Sequence, residues 1–157
     1  SNITVRRLAR TRRILVASPR YLARNGKPKT LDDLQQHQFL IYTYANKPNE
    51  LRFTRDGDVT TLQVKGLLES NDGQILRAAA FDGLGILVQT TYIVYEDMVA
   101  GRLVPLLDDW DLPHLTVNVA YPSRKHLSAK VRTFIDFMVE HFARMDYERK
   151  WTGRFGV

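Results

Sequence analysis

Residues 66–88, GLLESNDGQILRAAAFDGLGILV, decide the fold class, because they contain a strand, a helix and a second strand in succession. Residues 66–70, GLLES, have the length of a strand and contain two adjacent leucines. Asn71 is placed to cap the following helix, with Gln74 at its third position. The helix carries apolar residues at helical spacing and ends near Gly83, before an apolar run. This succession predicts an α/β architecture with a largely parallel sheet.

The alternation continues on the N-terminal side of this unit. Residues 13–17, RILVA, predict a short buried strand. Ser18-Pro19 is typical of a helix start, since serine caps the helix and proline loses no useful N–H there. Residues 39–44 predict another strand. Asp56-Gly57, between two β-prone runs, predicts a hairpin.

The C-terminal half repeats the pattern. Residues 91–100 predict a helix, residues 115–121 a strand, and Ser128 the start of a long helix. That helix carries an apolar stripe, which we expect to be core or a subunit contact: Val131, Phe134, Ile135, Met138 and Phe142.

The composition excludes several classes of protein. The chain has 157 residues, of which 44% are hydrophobic and 25% charged, as in a single globular domain. It has no cysteine, which excludes disulfides, thiolate metal sites and a cysteine nucleophile. Its four histidines never form the i, i+4 pair of a helical zinc site, so we expect no metal and no cofactor. Without a signal-peptide pattern or a membrane-length apolar run, we expect a cytoplasmic protein with no membrane contact.

The net charge of +6 comes from one end of the chain. Residues 1–29 hold nine basic side chains and no acidic one, which leaves 14 of the 23 basic residues against all 17 acidic ones elsewhere. The run from Arg6 to Arg13 lacks the interleaved aromatics of a single-strand binder and the recognition helix of a duplex binder. We interpret it as a solvated strand edge and loop.

No pattern of catalytic residues is present, so we expect no enzyme. The chain has no G-x-S-x-G motif, and Ser18 is followed by a proline, which cannot donate an oxyanion-hole N–H. Gly83-Leu84-Gly85 lacks both the lysine of a phosphate loop and the third glycine of a dinucleotide fingerprint.

Four segments resemble one known family in content and order. They are residues 6–37 (RRLARTRRILVASPRYLARNGKPKTLDDLQQH), 70–88, 96–110 (EDMVAGRLVPLLDDW) and 119–138 (VAYPSRKHLSAKVRTFIDFM). Together they resemble the effector-binding domain of LysR-type transcriptional regulators, from about Leu8 to Phe142.

The resemblance implies a type 2 periplasmic-binding-protein-like fold, in which two α/β lobes are joined by hinge strands. Residues 1–157 would then be a partial effector-binding domain. Residues 18–113 would form one complete lobe, and residues 1–17 and 114–157 would form part of the other. The winged helix-turn-helix DNA-binding domain of that family would lie outside these residues. The implied function is that of a bacterial regulator's sensing domain, which binds a small-molecule effector between the lobes and thereby controls a DNA-bound homo-oligomer. DNA would be contacted only through the winged helix-turn-helix domain.

The implied cleft lies beyond the carboxyl ends of strands, where open α/β sheets bind ligands. Six residues reach this place by sequence position: Ser18, Tyr42, Asn71, Gln89, Thr90 and Thr91. Gln89-Thr90 stands where the family usually has a step ending in proline, and it adds hydrogen-bonding groups there. Each residue also has a structural interpretation. The hydroxyls and Asn71 could cap helices, and Tyr42 could pack against the hairpin.

Two other functions stay open at this point. A solute-binding protein of a transport system would share the two-lobed fold but would require export. An autonomous nucleic-acid binder would use the basic segment directly, and its affinity would fall steeply with salt.

Overall fold

The computed structural model describes residues 2–123 and 127–155. The strands are β1 (Ile3–Ala17), β2 (Phe39–Tyr42), β3 (Glu50–Arg55), β4 (Asp58–Gln63), β5 (Gly66–Ser70), β6 (Ile86–Thr90), β7 (Val104–Leu106) and β8 (His114–Pro122). The helices are α1 (Pro19–Asn25), α2 (Gly73–Phe81), α3 (Thr91–Val99), α4 (Ala129–Met145) and α5 (Tyr147–Thr152), with a 3-10 helix at Asp32–Gln36.

The main sheet is mixed, so the expectation of a largely parallel sheet is wrong. Its order is β5-β2-β6-β1-β7, and β8 also pairs with β1. β2 lies between β5 and β6 and is parallel to both. α2 is the crossover that connects β5 to β6, as the opening segment predicts. β1 lies between β6 and β7 and is antiparallel to both. Apolar runs mark strands but carry no direction, so the sequence pattern could not reveal this insertion.

β1 is three times as long as the strand expected at residues 13–17. Residues Ile3–Arg12 pair with β8, with an irregularity between Arg7 and Ala9, and the remainder pairs with β6 and β7. The basic run is therefore strand throughout, which corrects its interpretation as a strand edge and loop. Arg12 departs furthest from that interpretation, because only 1% of it is exposed.

The hydrophobic core has two layers, one on each face of the main sheet. α1, the 3-10 helix and β3 cover one face, and α2 and α3 cover the other. Alternate residues of β1 enter opposite layers, as the period of a strand requires: Leu15 and Ala17 lie in the first, Ile14 and Val16 in the second. A strand that is buried on both faces has a continuous run of apolar residues, and residues 14–17 of the segment RILVA are such a run.

The hairpin prediction is confirmed, since β3 and β4 pair across Asp56-Gly57. Both turn residues have positive φ, 49° and 86°, the backbone that lets a two-residue turn follow the strand twist. The predicted cap of α2 is wrong by one residue. Asp72, not Asn71, is the N-cap, and its carboxylate accepts a hydrogen bond from the Gln74 N–H at 2.8 Å.

α4 begins after Ser128, whose hydroxyl accepts a hydrogen bond from the Val131 N–H, as predicted. Its apolar stripe is not core, because Ile135 is its only buried member. Phe134, at 57% exposed, faces solvent, as does Phe137 on the same helix. None of the described helices combines the length and the hydropathy needed to cross a membrane.

Candidate functional site

A cavity of about 640 Å³ lies at the carboxyl ends of the parallel strands β2 and β6, beside the first residues of α2 and α3. This is the edge at which open α/β sheets bind ligands, and the volume suits a small organic molecule. The cavity is lined by Arg13, Tyr42, Ala45, Asn46, Asp72, Gly73, Gln74, Val88, Gln89, Thr90, Tyr92, Ile93, Pro113 and Leu115.

Arg13 supplies the positive charge of the cavity. It lies on β1 directly opposite Thr90 of β6, so the two side chains are cross-strand neighbours. The guanidinium is half-buried, and among the described residues it has no ion pair or hydrogen bond. Burial lowers the pKa of the Arg13 guanidinium, although an arginine stays charged at any physiological pH.

Gln89 presents an amide NH₂ group to the cavity. Its side chain is held where β6 ends, and the residue is only 8% exposed. Its Oε1 accepts a hydrogen bond from the Thr90 N–H at 3.0 Å, which fixes the orientation of the amide. The Nε2 group has no hydrogen-bond partner among the described residues. A Cβ at Gly73 would lie 3.5 Å from Nε2, which is ordinary van der Waals contact, so the first residue of α2 lies next to the amide.

Thr90 occupies the N-cap position of α3 but does not cap the helix with its side chain. Its hydroxyl oxygen is buried and makes no hydrogen bond within the part of the chain that the structure describes. A buried hydroxyl without a partner is costly, so the site is incomplete as it stands. The first turn of α3, with unpaired N–H groups of its own, follows immediately.

Most of the remaining wall is aliphatic or aromatic, and Asn46 and Gln74 add neutral polar groups. Val88, Ile93 and Leu115 contribute aliphatic surface, and Tyr42 and Tyr92 contribute aromatic side chains. Asp72 is the acidic residue of this lining, and its carboxylate is held at the N-terminus of α2 by the Gln74 N–H. The cavity thus combines a few polar side chains with a larger apolar surface.

Three of the six residues predicted from the sequence line this cavity: Tyr42, Gln89 and Thr90. Ser18 does not, and its buried hydroxyl instead caps α1 by accepting from the Tyr21 N–H at 3.1 Å. Asn71 is exposed outside it and donates to the Tyr44 hydroxyl at 3.3 Å.

Thr91 is fully buried next to the cavity but does not line it. Its hydroxyl donates to the Trp151 carbonyl at 2.6 Å and lies 2.8 Å from the Thr11 hydroxyl. These bonds tie α3 to α5 and to β1.

Sequence reasoning missed two prominent residues of the lining, Arg13 and Tyr92. Arg13 belongs to the basic run, where five arginines in eight residues gave no sign of which one lines the cavity. Its neighbour Ile14 is buried, but only the antiparallel pairing with β6 brings Arg13 to Thr90. Among the described residues, no group of three or more metal-ligating side chains could hold a metal ion.

Comparisons with known proteins place this geometry in context. The LysR substrate binding domain family matches residues 1–143. The chain is 32% identical over 146 residues to the HTH-type transcriptional regulator PtxR of Pseudomonas aeruginosa, and 35% identical over 143 residues to DmlR of Escherichia coli. These matches cover 92% and 90% of the chain but only 46% of each relative, so the chain spans about half of their length.

Solved structures agree with the sequence relatives. The regulatory domain of CrgA, a LysR-type transcriptional regulator from Neisseria meningitidis, superposes with a TM-score of 0.81 at 30% identity, covering 90% of this chain and 70% of that one. Full-length AphB, the Vibrio cholerae virulence activator, gives 0.78 at 28% identity, covering 90% of this chain and 49% of AphB. These findings do not support the transport alternative. The chain belongs to the LysR substrate binding domain family and has the mixed α/β fold of LysR regulatory domains.

Proposed function

We propose that this chain is the effector-sensing part of a transcription regulator and that a small molecule binds in the cavity at the ends of β2 and β6. The observation that carries the proposal is the set of unsatisfied polar groups at that place. Arg13, Gln89 and Thr90 all line the cavity, and the Arg13 guanidinium, the Gln89 NH₂ and the buried Thr90 hydroxyl have no partners among the described residues. A ligand that supplies those partners would be held by preformed groups.

The strand pairing supports a two-lobed division. Residues 18–113 carry most of both core layers of the main sheet, together with the hairpin, and we assign them to one lobe. Residues 14–17, at the end of β1, add buried side chains to both layers, so β1 enters this lobe from the other one. Residues 1–17 and 114–157 would contribute part of the other lobe, with β1 and β8 as the connection. In this arrangement the cavity lies close to the junction, since Pro113 and Leu115 belong to its lining.

The whole regulator would bind DNA through a separate domain and act as a homo-oligomer in the cytoplasm. The length of the relatives supports the separate domain, because this chain matches less than half of each. We infer that the chain senses and does not catalyse. The cavity offers donors and an apolar wall, but it does not pair a nucleophile with a base.

A cavity-filling variant tests the proposal. Ala45 lies in a loop at the cavity wall, so Ala45→Trp would occupy the space without altering a strand. Ala23→Trp, on the exposed side of α1, is the matched control. The unfolding temperature of the regulator containing this chain would be measured against a panel of small organic acids, amides, amines and sugars.

We expect at least one class of compound to raise the unfolding temperature of the wild type and of Ala23→Trp, because a ligand that binds the folded state stabilises it. Ala45→Trp should lose that response while keeping its own unfolding temperature. If no compound stabilises the wild type, or if Ala45→Trp responds as the control does, the cavity is not the effector site.

A further inference from the structure

We propose that the cavity selects a monocarboxylate with an apolar body, and that Arg13 and Gln89 determine this selectivity. The inference rests on the proposed effector-sensing function and adds the chemical class of the ligand. The inference follows from the polar groups of the lining. Some of them already have hydrogen-bond partners within the protein, and the others still need a partner of a particular kind.

The first step concerns charge. An arginine that loses hydration on burial normally gains a carboxylate in return, and Arg12 does so next to Arg13 in the sequence. Arg13 is half-buried at the cavity, and the described residues offer it no carboxylate within 4.0 Å. A ligand carboxylate is the simplest group to fill this place, because it can accept two parallel bonds from one guanidinium.

The second step concerns the amide of Gln89. The Thr90 N–H can bond only to an oxygen, so Oε1 is used within the protein and the NH₂ group is left for the cavity. An NH₂ group is a donor and needs an acceptor. Gln89 is more than nine-tenths buried, so bulk water can reach it only through the cavity. Its donor and that of Arg13 both favour an acceptor-only group, which an ionised carboxylate is.

The third step concerns Thr90, which is the cross-strand neighbour of Arg13. Its hydroxyl is buried and has no partner among the described residues. The first turn of α3 begins at the next residue, and the positive end of its dipole adds to the attraction for an anion. The Arg13 guanidinium and the Gln89 amide thus line the cavity with unpaired donors, and the start of α3 lies next to them.

The last step limits the ligand to a single charge. Apart from Asn46, Asp72 and Gln74, none of which carries a positive charge, the rest of the lining offers mainly aliphatic and aromatic surface, with Val88, Ile93 and Leu115 among it. A second carboxylate would lie against this apolar surface or near the negative charge of Asp72, and either position is costly. An aliphatic or aromatic body fits the same surface well.

The probes are matched pairs of acids and amides that share a shape: benzoate with benzamide, hexanoate with hexanamide, and cyclohexanecarboxylate with its amide. Succinate represents the dicarboxylates. Binding to the regulator containing this chain would be measured by titration calorimetry and by the shift in unfolding temperature. We expect at least one acid to bind at least about tenfold more tightly than its amide and than succinate, as expected for charge-assisted hydrogen bonds.

Two variants separate the chemistry from the fold. Gln89→Glu keeps an oxygen for the Thr90 N–H but replaces the donor with a negative charge, so the acid should bind at least about tenfold more weakly. The unfolding temperature of this variant without ligand, measured beside that of the wild type, shows that it is folded. Arg13→Met should weaken the acid at least as much, and Arg13→Lys should recover part of the loss because it keeps the charge. Arg24→Met, which removes an exposed positive charge on α1, is the control and should bind like the wild type.

The outcomes distinguish this inference from the proposed function. If amides, amines or sugars bind in the cavity and acids do not, or if Gln89→Glu binds the acid like the wild type, the carboxylate inference is overturned while the sensing function stands. If Ala45→Trp leaves acid binding intact, the acid binds elsewhere and both are overturned. If no member of the panel binds the wild type, both are again overturned.

Discussion

Arg12 and Asp108 form an ion pair almost wholly removed from solvent, with Nη1 2.7 Å from Oδ1 and Nη2 2.9 Å from Oδ2. Nη2 also donates to the Gly153 carbonyl at 2.7 Å, and Asp108 accepts from the Phe155 N–H. The pair therefore joins β1, the segment after β7 and the residues after α5. A buried ion pair adds little net stability, but removing one partner leaves the other charge unpaired.

Arg12→Met should reduce the free energy of unfolding by about 3–5 kcal/mol, because it leaves the Asp108 carboxylate buried without a positively charged partner. Urea denaturation measures the change. Combining it with Asp108→Leu should recover part of the loss, since the uncompensated charge is then absent. Arg6→Met, at an exposed position of the same strand, is the control. Equal effects at Arg6 and Arg12 would show that the pair is not buried in solution.

Thr91→Val should destabilise the protein by about 1–3 kcal/mol, because it leaves the Trp151 carbonyl and the Thr11 hydroxyl without a buried partner. The emission of Trp151 should change as well, since its backbone loses this anchor. Thermal unfolding and fluorescence measure the two effects. Thr90→Val is the neighbouring comparison and should cost less, because its hydroxyl has no partner to lose. Unchanged stability of Thr91→Val would contradict the anchoring role.

The stability of the protein should fall in acid partly through Asp97. Burial raises the pKa of this carboxyl, but hydrogen bonds from Arg77 and Arg102 outweigh burial and hold its pKa below the ordinary value. Since the folded-state pKa is depressed, the contribution is fully present above the unfolded pKa of about 3.9 and is lost as pH falls through the folded pKa.

Asp97→Asn should therefore cost about 1.5–3 kcal/mol at pH 7, and the difference from the wild type should shrink below about pH 4. Urea unfolding at steps between pH 7 and pH 2 provides the measurement. Asp82→Asn, at an exposed carboxylate whose guanidinium partner is 3.9 Å away, is the control. A difference that stayed constant down to pH 2 would exclude the ion pair as its cause.

The exposed face of α4 should drive self-association. Phe134 and Phe137 are both more than half exposed, an unusual loss of apolar burial for two aromatic rings on one helix. Light scattering across a concentration series should show species heavier than a monomer, and Phe134→Glu with Phe137→Glu should reduce them. Thr133→Glu adds charge to the same helix without removing an aromatic ring. A monomeric mass at every concentration would contradict this prediction.

This chain alone should not select an operator sequence. Arg6, Arg7 and Arg10 are exposed on β1, but a strand paired with β8 is not a recognition helix in a major groove. A mobility-shift assay of residues 1–157 should show only weak retention that disappears as salt rises. Saturable, sequence-selective retention at physiological salt would contradict the prediction that this chain does not recognise an operator.

Local signals predicted the parts of the fold that depend on neighbouring residues. Asp56-Gly57 gave the hairpin and Ser128 the start of α4, because turn and cap preferences act over a few residues. The direction of β1 depends on pairing with strands some 75 to 120 residues away, and no short pattern records it. The composition of the cavity lining also depends on this long-range pairing. Gln89 and Thr90 were predicted as neighbours at the end of a strand, whereas Arg13 joins them only through that pairing.

The long pairing of β1 with β8 affects how the chain folds during synthesis. Ile3 pairs with Pro122, so this end of β1 is synthesised about 120 residues before its partner. Pairings so distant in sequence form slowly, and an unpaired apolar strand is exposed to aggregation meanwhile. Charged side chains along a strand discourage edge-to-edge association. The arginines at positions 6, 7 and 10 should thus protect the nascent chain until β8 is synthesised, which gives the dense basic run a role in folding.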